Sequence, residues 1–446
     1  MAALIVAGGL LRLAFLGADS FWLDEAYSVS NVLPHSVAGI WHTSVDPNHP
    51  SLYFVLLRLA LRLGGVSETM ARLPSAAASL GSLALVYVLA RRLGMSTRAG
   101  GAAAVLMAFA PVDVWYAQEA RMYAMVTTAA LAFAVALTID SWLGALLAGA
   151  ALMIGLYLDF TMVALAAIVT SLWLVWWWYG AASRHWRRPA GVAAAWVGAW
   201  LAFLPEWSHL GDVLRRIDTV PLLVNLHRWF GLRVTPGAPA VVVVAVIAGL
   251  AAIASVVTWH ALRRENFRRA FVWFVWIAFV GSTLLLTVPR GYSAKQFLAT
   301  GWPFVVLVVA WTLTDAAGAV GSWRLSSAVA VSIVAAMITI ATPRADWRGA
   351  VRYLNQRSPR TAGVWIDPPW NTVAYDFYHP TLVAGSTLLQ SSEAATGRVA
   401  SRGEVCFVAE RFGNPPPTSP SEAWLDQHLV LVETVSLARL EVRCYR

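Results

Sequence analysis

Two adjacent acids, Asp24 and Glu25, lie in Phe21-Trp22-Leu23-Asp24-Glu25-Ala26-Tyr27, just past the first apolar segment of a chain that otherwise avoids charge. A carboxylate there can take a proton from an attacking hydroxyl. Further along stand Asp46, Asn48 and His49, then Glu119, Arg121 and Tyr123, then Asp159. Glu206, His209, Asp212, Arg215 and Arg216 follow, with His227, Arg228, Arg290, Tyr292 and Lys295 beyond them. Arginine and lysine can hold a phosphate and stabilise it as it leaves. Acids in company with cations therefore suit a reaction on a phosphate-bearing lipid.

Each of these residues has a plainer reading. Asp24 can be a solvated helix cap, and Asp159 the end of a span. Glu119 and Arg121 can be an interfacial ion pair, and His49 before Pro50 can simply start a helix. Arg215-Arg216 can meet lipid headgroups. Arg12, inside the first apolar segment, is costly there unless it snorkels to an interface or faces the interior of a helix bundle. The sequence has no HExxH motif and no clustered cysteines. Asp24, Asp46 and His49 are the side chains whose types suit a divalent cation. No glycine-rich phosphate loop is visible, so an enzyme of this kind would draw its activated group from a lipid carrier.

The elements that must position these groups are membrane spans. The chain has 446 residues, 59% hydrophobic and 13% charged, with mean hydropathy +0.62. Repeated continuous apolar runs near the ~20 residues that cross a bilayer indicate a polytopic α-helical membrane protein. The net charge of +9 lies largely in short-loop arginines, which set orientation and do not call for a nucleic acid partner. The spacing predicts about eleven spans, at about 1–18, 69–90, 99–116, 122–139, 142–158, 160–179, 190–205, 238–260, 270–288, 297–314 and 325–342. Alternation puts the arginine clusters at 91–98, 184–188 and 263–269 on one side, hence cytoplasmic, together with the N-terminus. Loops 19–68, 117–121, 206–237 and 289–296 then fall on the outer face, with the tail.

Within the first outer loop, residues 49–62 are too short to span, and Arg58 and Arg62 share one helical face. That predicts an interfacial helix, with a second at 27–40. The division expected is a transmembrane domain over 1–342 and a small soluble α/β domain over 343–446. In the tail, residues 346–354 read as an amphipathic helix, and 363–366, 405–408 and 429–433 as short buried strands. Cys406 and Cys444, the two cysteines of the chain, are able to pair if the tail faces an oxidising compartment.

Four elements, in order, resemble the GT-C membrane glycosyltransferases, specifically the bacterial branch related to protein O-mannosyltransferases and to the aminoarabinose transferases of lipid A. Residues 21–27 look like the first-loop Asp-Glu motif. Asp46-Pro47-Asn48-His49-Pro50-Ser51-Leu52-Tyr53 resembles a His-Pro-Pro-Leu-Tyr element. Arg72-Leu73-Pro74-Ser75 matches the start of the second span, and Gln118-Glu119-Ala120-Arg121-Met122-Tyr123 a second-loop Glu-Ala-Arg motif. Asp346-Trp347-Arg348 also recurs in such bacterial proteins. The likeness is dense over 20–140 and diffuse to about 310.

The resemblance implies a polyprenyl-phosphate sugar donor and a single inverting displacement at the outer face of the cytoplasmic membrane. The base role falls on Asp24, with Glu25 orienting Asp24 or the acceptor. Asp46, His49, Arg72, Glu119, Arg121 and Tyr123 would line the substrate and carrier-phosphate site. Ser51 departs from the second proline of its motif. Lys295-Gln296-Phe297 stands where relatives carry an Arg-Tyr pair, so Lys295 would replace a phosphate-binding arginine. The acceptor would be a hydroxyl of a glycan, glycolipid or protein, and mannose is the first sugar to consider. A lipid-linked glycan polymerase or ligase is the neighbouring reading. A transporter or flippase is the distant one, against which the spans show neither paired Gly/Pro breaks nor midplane acids.

Overall fold

The computed structural model describes residues 1–43, 45–180, 187–216, 294–315, 319–357, 361–379, 387–389, 403–411 and 419–446. The expected spans 238–260 and 270–288, and the loop cations Arg228 and Arg290, lie outside the described residues. The chain divides into two compact units. One comprises residues 1–14, 38–56 and 73–339, and the other 15–37, 57–72 and 340–446. The compact units do not follow a single border at 342/343, since parts of the first loop group with the tail.

The first unit is helical. Its elements are α1 (Ala2–Leu13), α6 (Thr97–Ala108), α7 (Pro111–Ala117), α8 (Tyr123–Leu137), α9 (Trp142–Leu158), α10 (Thr161–Gly180), α11 (Arg187–Ala202), α12 (Trp207–Arg216), α13 (Ala294–Asp315) and α14 (Ala319–Ala341). It also takes most of α5 (Glu68–Arg92) and the start of α4 (Leu52–Gly64). Local chemistry sets several ends. Ser96 caps α6 by accepting from the Ala99 N–H, and Ser141 caps α9 by accepting from that of Gly144.

The segment expected as one span at 99–116 is two helices bent by 56°. Pro111, at the first position of α7, cannot donate a backbone hydrogen bond and interrupts the ladder. Two described helices are long and apolar enough to cross a membrane, or three if this bent pair is one span. The described helices therefore do not fix the number of spans at eleven. The helix expected at 27–40 is likewise two, α2 (Leu23–Val32) and α3 (Val37–His42), separated at Pro34.

The second unit is built on a five-stranded sheet of β1 (Thr361–Asp367), β2 (Thr387–Leu389), β3 (Glu404–Glu410), β4 (Leu431–Leu437) and β5 (Leu440–Tyr445). The order is β2-β1-β3-β5-β4, with β1 parallel to β2 and β3, and β5 antiparallel to β3 and β4. Trp365, Val405, Phe407, Ala409, Leu425 and Tyr445 form its core. Cys406 and Cys444 face each other in the β3–β5 register and are joined in a disulfide. The run expected as a buried strand at 429–433 is instead an exposed edge strand, with Val430, Leu431 and Val432 open to solvent. Helices α15 (Trp347–Arg357), α16 (Thr372–Tyr378) and α17 (Pro420–His428) complete the tail. In this same unit Phe21 meets Phe377 edge to face at 5.1 Å, which ties the segment before α2 to α16.

Candidate active site

The polar residues singled out in the sequence form two clusters, one in each unit. In the first unit the centre is His49. Its Nδ1 lies 2.9 Å from Oδ2 of Asp159, and its Nε2 lies 2.8 Å from Nη2 of Arg121. A guanidinium only donates, so Nε2 accepts, and Nδ1 carries the proton donated to Asp159. Asp159 thus fixes the tautomer and the ring plane. Asp159 also accepts at Oδ1 from the Thr161 N–H, which joins it to the start of α10. Burial raises the Asp159 pKa, but the hydrogen bonds from His49 and Thr161 outweigh it and hold the carboxyl below its ordinary value.

Arg121 ends the loop that leaves α7. Its carbonyl accepts from Ser75 Oγ, and its N–H donates to the Glu119 carbonyl. Nη1 stands 3.9 Å from Oδ2 of Asp46, and the guanidinium lies 5.8 Å from the centre of the Tyr123 ring. Asp46, Glu119, Arg121 and Tyr123 are all buried. Beside them Ser51 Oγ donates to Oε1 of Glu206 at 3.1 Å, and Oε2 of Glu206 lies 3.0 Å from His209 Nδ1. That hydrogen bond raises the His209 pKa, against the opposing effect of burial. Ser51, where the family motif carries proline, thus supplies a hydroxyl that ties the 46–51 segment to the start of α12.

In the second unit the adjacent acids part company. Both fall in the first turn of α2, but Glu25 is fully buried and Asp24 is half-exposed. Arg72 grips Glu25 with Nε at 2.8 Å and Nη2 at 2.7 Å, and Arg344 adds Nη1 at 3.0 Å. The remaining Arg72 N–H groups donate to the carbonyls of Leu16, Asp19 and Ser20. Arg72 thus anchors the loop before α2. All five of its N–H groups are engaged in this way. Glu68 accepts from Tyr378 Oη at 2.6 Å and pairs with Arg348 at 2.9 Å, and Tyr378 Oη in turn accepts from the Phe21 N–H. Burial and the Glu68 bond push the Tyr378 phenol well up, so it stays protonated and able to donate.

Lys295 falls in the first turn of α13, and its side chain lies outside the described residues. Among the described residues, no three His, Cys, Asp or Glu side chains gather as a metal ion needs. The His49 ring meets Asp159 and Arg121. The sequence reading passed over Arg344 and the pairing of Asp159 with His49. The available signal for Asp159 was its isolation as the one charged residue between Asp140 and Arg184. Asp113, buried at 5% exposure beside the break in the bent pair, was also missed.

The profile of a family described as "Dolichyl-phosphate-mannose-protein mannosyltransferase" matches residues 48–209, the stretch that carries His49, Arg121, Asp159 and Glu206. Among solved structures, ArnT from Cupriavidus metallidurans bound to undecaprenyl phosphate is similar at TM-score 0.56 and 12% identity, covering 99% of this chain and 97% of that one. The same protein in the apo state gives 0.57 and 14%, with the same coverage. No curated protein matches the sequence.

Proposed function

We propose that the chain is a membrane glycosyltransferase of the GT-C superfamily, as its fold and matched segment suggest, and that it moves a sugar from a polyprenyl-phosphate donor to a hydroxyl of the cell envelope. The observation that carries this reading is the buried Arg121, oriented by a histidine that is itself oriented by Asp159. A guanidinium so placed suits a phosphate that gains charge as it leaves. The undecaprenyl phosphate named in the similar ArnT structure supports a carrier of this class.

In the proposed step the acceptor oxygen bonds to the anomeric carbon as the bond from that carbon to the phosphate oxygen breaks, with inversion. Asp24 takes the hydroxyl proton, which its partial exposure permits. Glu25, clamped by two arginines, fixes the turn that presents Asp24. Arg121, with Lys295 as a second cation, stabilises the departing polyprenyl phosphate, and Asp46 and Glu119 line the same polar cluster as Arg121. The Cys406–Cys444 disulfide supports an outer-face, oxidising setting for the tail. Mannose is the first sugar to test, on the description of the matched family. The acceptor is a glycan, glycolipid or protein hydroxyl.

Asp24→Asn should fold as the parent does and lose about 10²–10⁴-fold in transfer from a polyprenyl-phosphate sugar, the usual worth of a general base. Full transfer by that variant would remove Asp24 from the base role.

A further inference from the structure

Arg12 lies in the last turn of an apolar helix and is fully buried. Such a charge is expensive in a span, so its partners carry information. They are all in the first unit. Nε donates to Ser79 Oγ at 2.7 Å. Nη1 donates to the carbonyls of Gly8 and Ala108, at 2.8 and 2.6 Å. Nη2 donates to the carbonyl of Met107 at 2.9 Å and pairs with Oδ2 of Asp113. All five N–H groups are engaged. Ser79 Oγ donates to the same Asp113 oxygen, at 2.7 Å.

These partners sit on both sides of the break between α6 and α7. Met107 and Ala108 are the last residues of α6, and Asp113 is in the first turn of α7. Where Pro111 interrupts the helix, the carbonyls at the end of α6 lose their ladder partners, which apolar surroundings penalise. Arg12 supplies those donors from α1. The approach is close: a Cβ at Gly8 would stand 2.5 Å from the Ala108 Cβ and 2.7 Å from its oxygen. The far end of α7 is held by the same helix, since Gln118 Nε2 donates to the carbonyls of Leu11 and Ala14 at 2.9 and 2.8 Å. Helix α7 is thus clamped to α1 at both ends, and Arg121 follows Gln118 by three residues.

We infer that Arg12 is a positioning residue for the carrier phosphate: it fixes the bend of the broken helix and so aims the loop that carries Arg121. This inference rests on the reading of Arg121 as the phosphate-holding cation.

The test uses the full chain in lipid nanodiscs and compares binding of undecaprenyl phosphate with that of undecaprenol, alongside the melting temperature. Arg12→Lys keeps the charge but offers three donors in place of five. It should fold and lose about tenfold of its preference for the phosphate-bearing lipid, because displacements of about 1 Å weaken oriented contacts by such factors. Ser79→Ala, a milder change at the same cluster, should lose less of the same preference, and it serves if Arg12→Lys does not fold. A purely structural role would lower the melting temperature and weaken both lipids equally, or neither, and that result overturns the inference. Arg121→Ala is the control. If it keeps the phosphate preference, the functional reading fails and the inference falls with it. If it loses the preference while folded Arg12→Lys and Ser79→Ala keep it, the inference alone fails.

Discussion

Each unit buries an arginine beside acids, and the two clusters are built for different ends. Arg72 meets Glu25 with a two-pronged grip and spends its other donors on three loop carbonyls, while Arg344 adds a second cation to the same carboxylate. Arg121 has an imidazole nitrogen as its near side-chain partner, and its carboxylate neighbour Asp46 stands at 3.9 Å. The first arrangement neutralises a buried acid and locks a chain segment. The second orients a cation through a histidine whose own position is set from behind by Asp159. Burial alone therefore does not tell the two arginines apart, since Arg72 meets a carboxylate and Arg121 a histidine nitrogen.

The largest effects should come from breaking the locked cluster. Glu25→Ala would leave Arg72 and Arg344 buried without their carboxylate, a change that typically costs about 3–5 kcal/mol. Its melting temperature and yield should collapse, whereas Asp24→Asn, one residue away, should melt as the parent does and fail only in transfer. A well-folded Glu25→Ala that has merely lost activity would erase the distinction between the two acids. The next effect is smaller and falls in the other unit. Asp159→Asn keeps the shape of the His49 partner but removes the charge that fixes its tautomer, so Arg121 is held less firmly. Donor KM should rise about tenfold, within the range found when an outer partner of a working histidine is lost. An unchanged donor KM would sever the His49 relay from the carrier phosphate.

The residues show why some of this was legible and some was not. Asp24 and Glu25 announced themselves by adjacency in an apolar chain, and Arg121 by its motif. Which of the two acids turns inward depends on Arg72 and Arg344, and no local pattern encodes that choice. The His49–Asp159 bond joins positions 110 residues apart, and helical periodicity is silent about such contacts. The break at 109–110 is a different case. Pro111 and Asp113 were both visible signals, and the continuous apolar count overrode them. In the tail, β3 carries an unbroken apolar run from Val405 to Ala409 and was found, whereas β5 alternates Glu441 and Arg443 with buried Val442 and Cys444 and was passed over. Strand β2, at three residues, is too short to carry a pattern.

The mildest prediction separates the units by pH. In the first unit the folded state holds Asp159 below its free value, so this carboxylate adds stability above about pH 4 that is lost as pH falls through its lowered pKa. His209 is shifted the other way. With its folded pKa raised by Glu206, it adds stability fully below about pH 6.5 that fades as pH rises through the raised value. The Glu206–His209 pair should therefore make the parent melt progressively lower between about pH 6.5 and its folded His209 pKa. His209→Gln, which keeps a donor for Glu206 but does not titrate, should flatten that limb and leave the acid limb alone. In the second unit the shifted carboxyls run opposite to Asp159, since burial raises Asp376 and Glu410, and the raised Tyr378 and Tyr375, the latter at about 12, keep their protons throughout this range. A His209→Gln protein that retains the alkaline decline would move its cause away from this pair. The contrast would then rest on arginine partners alone.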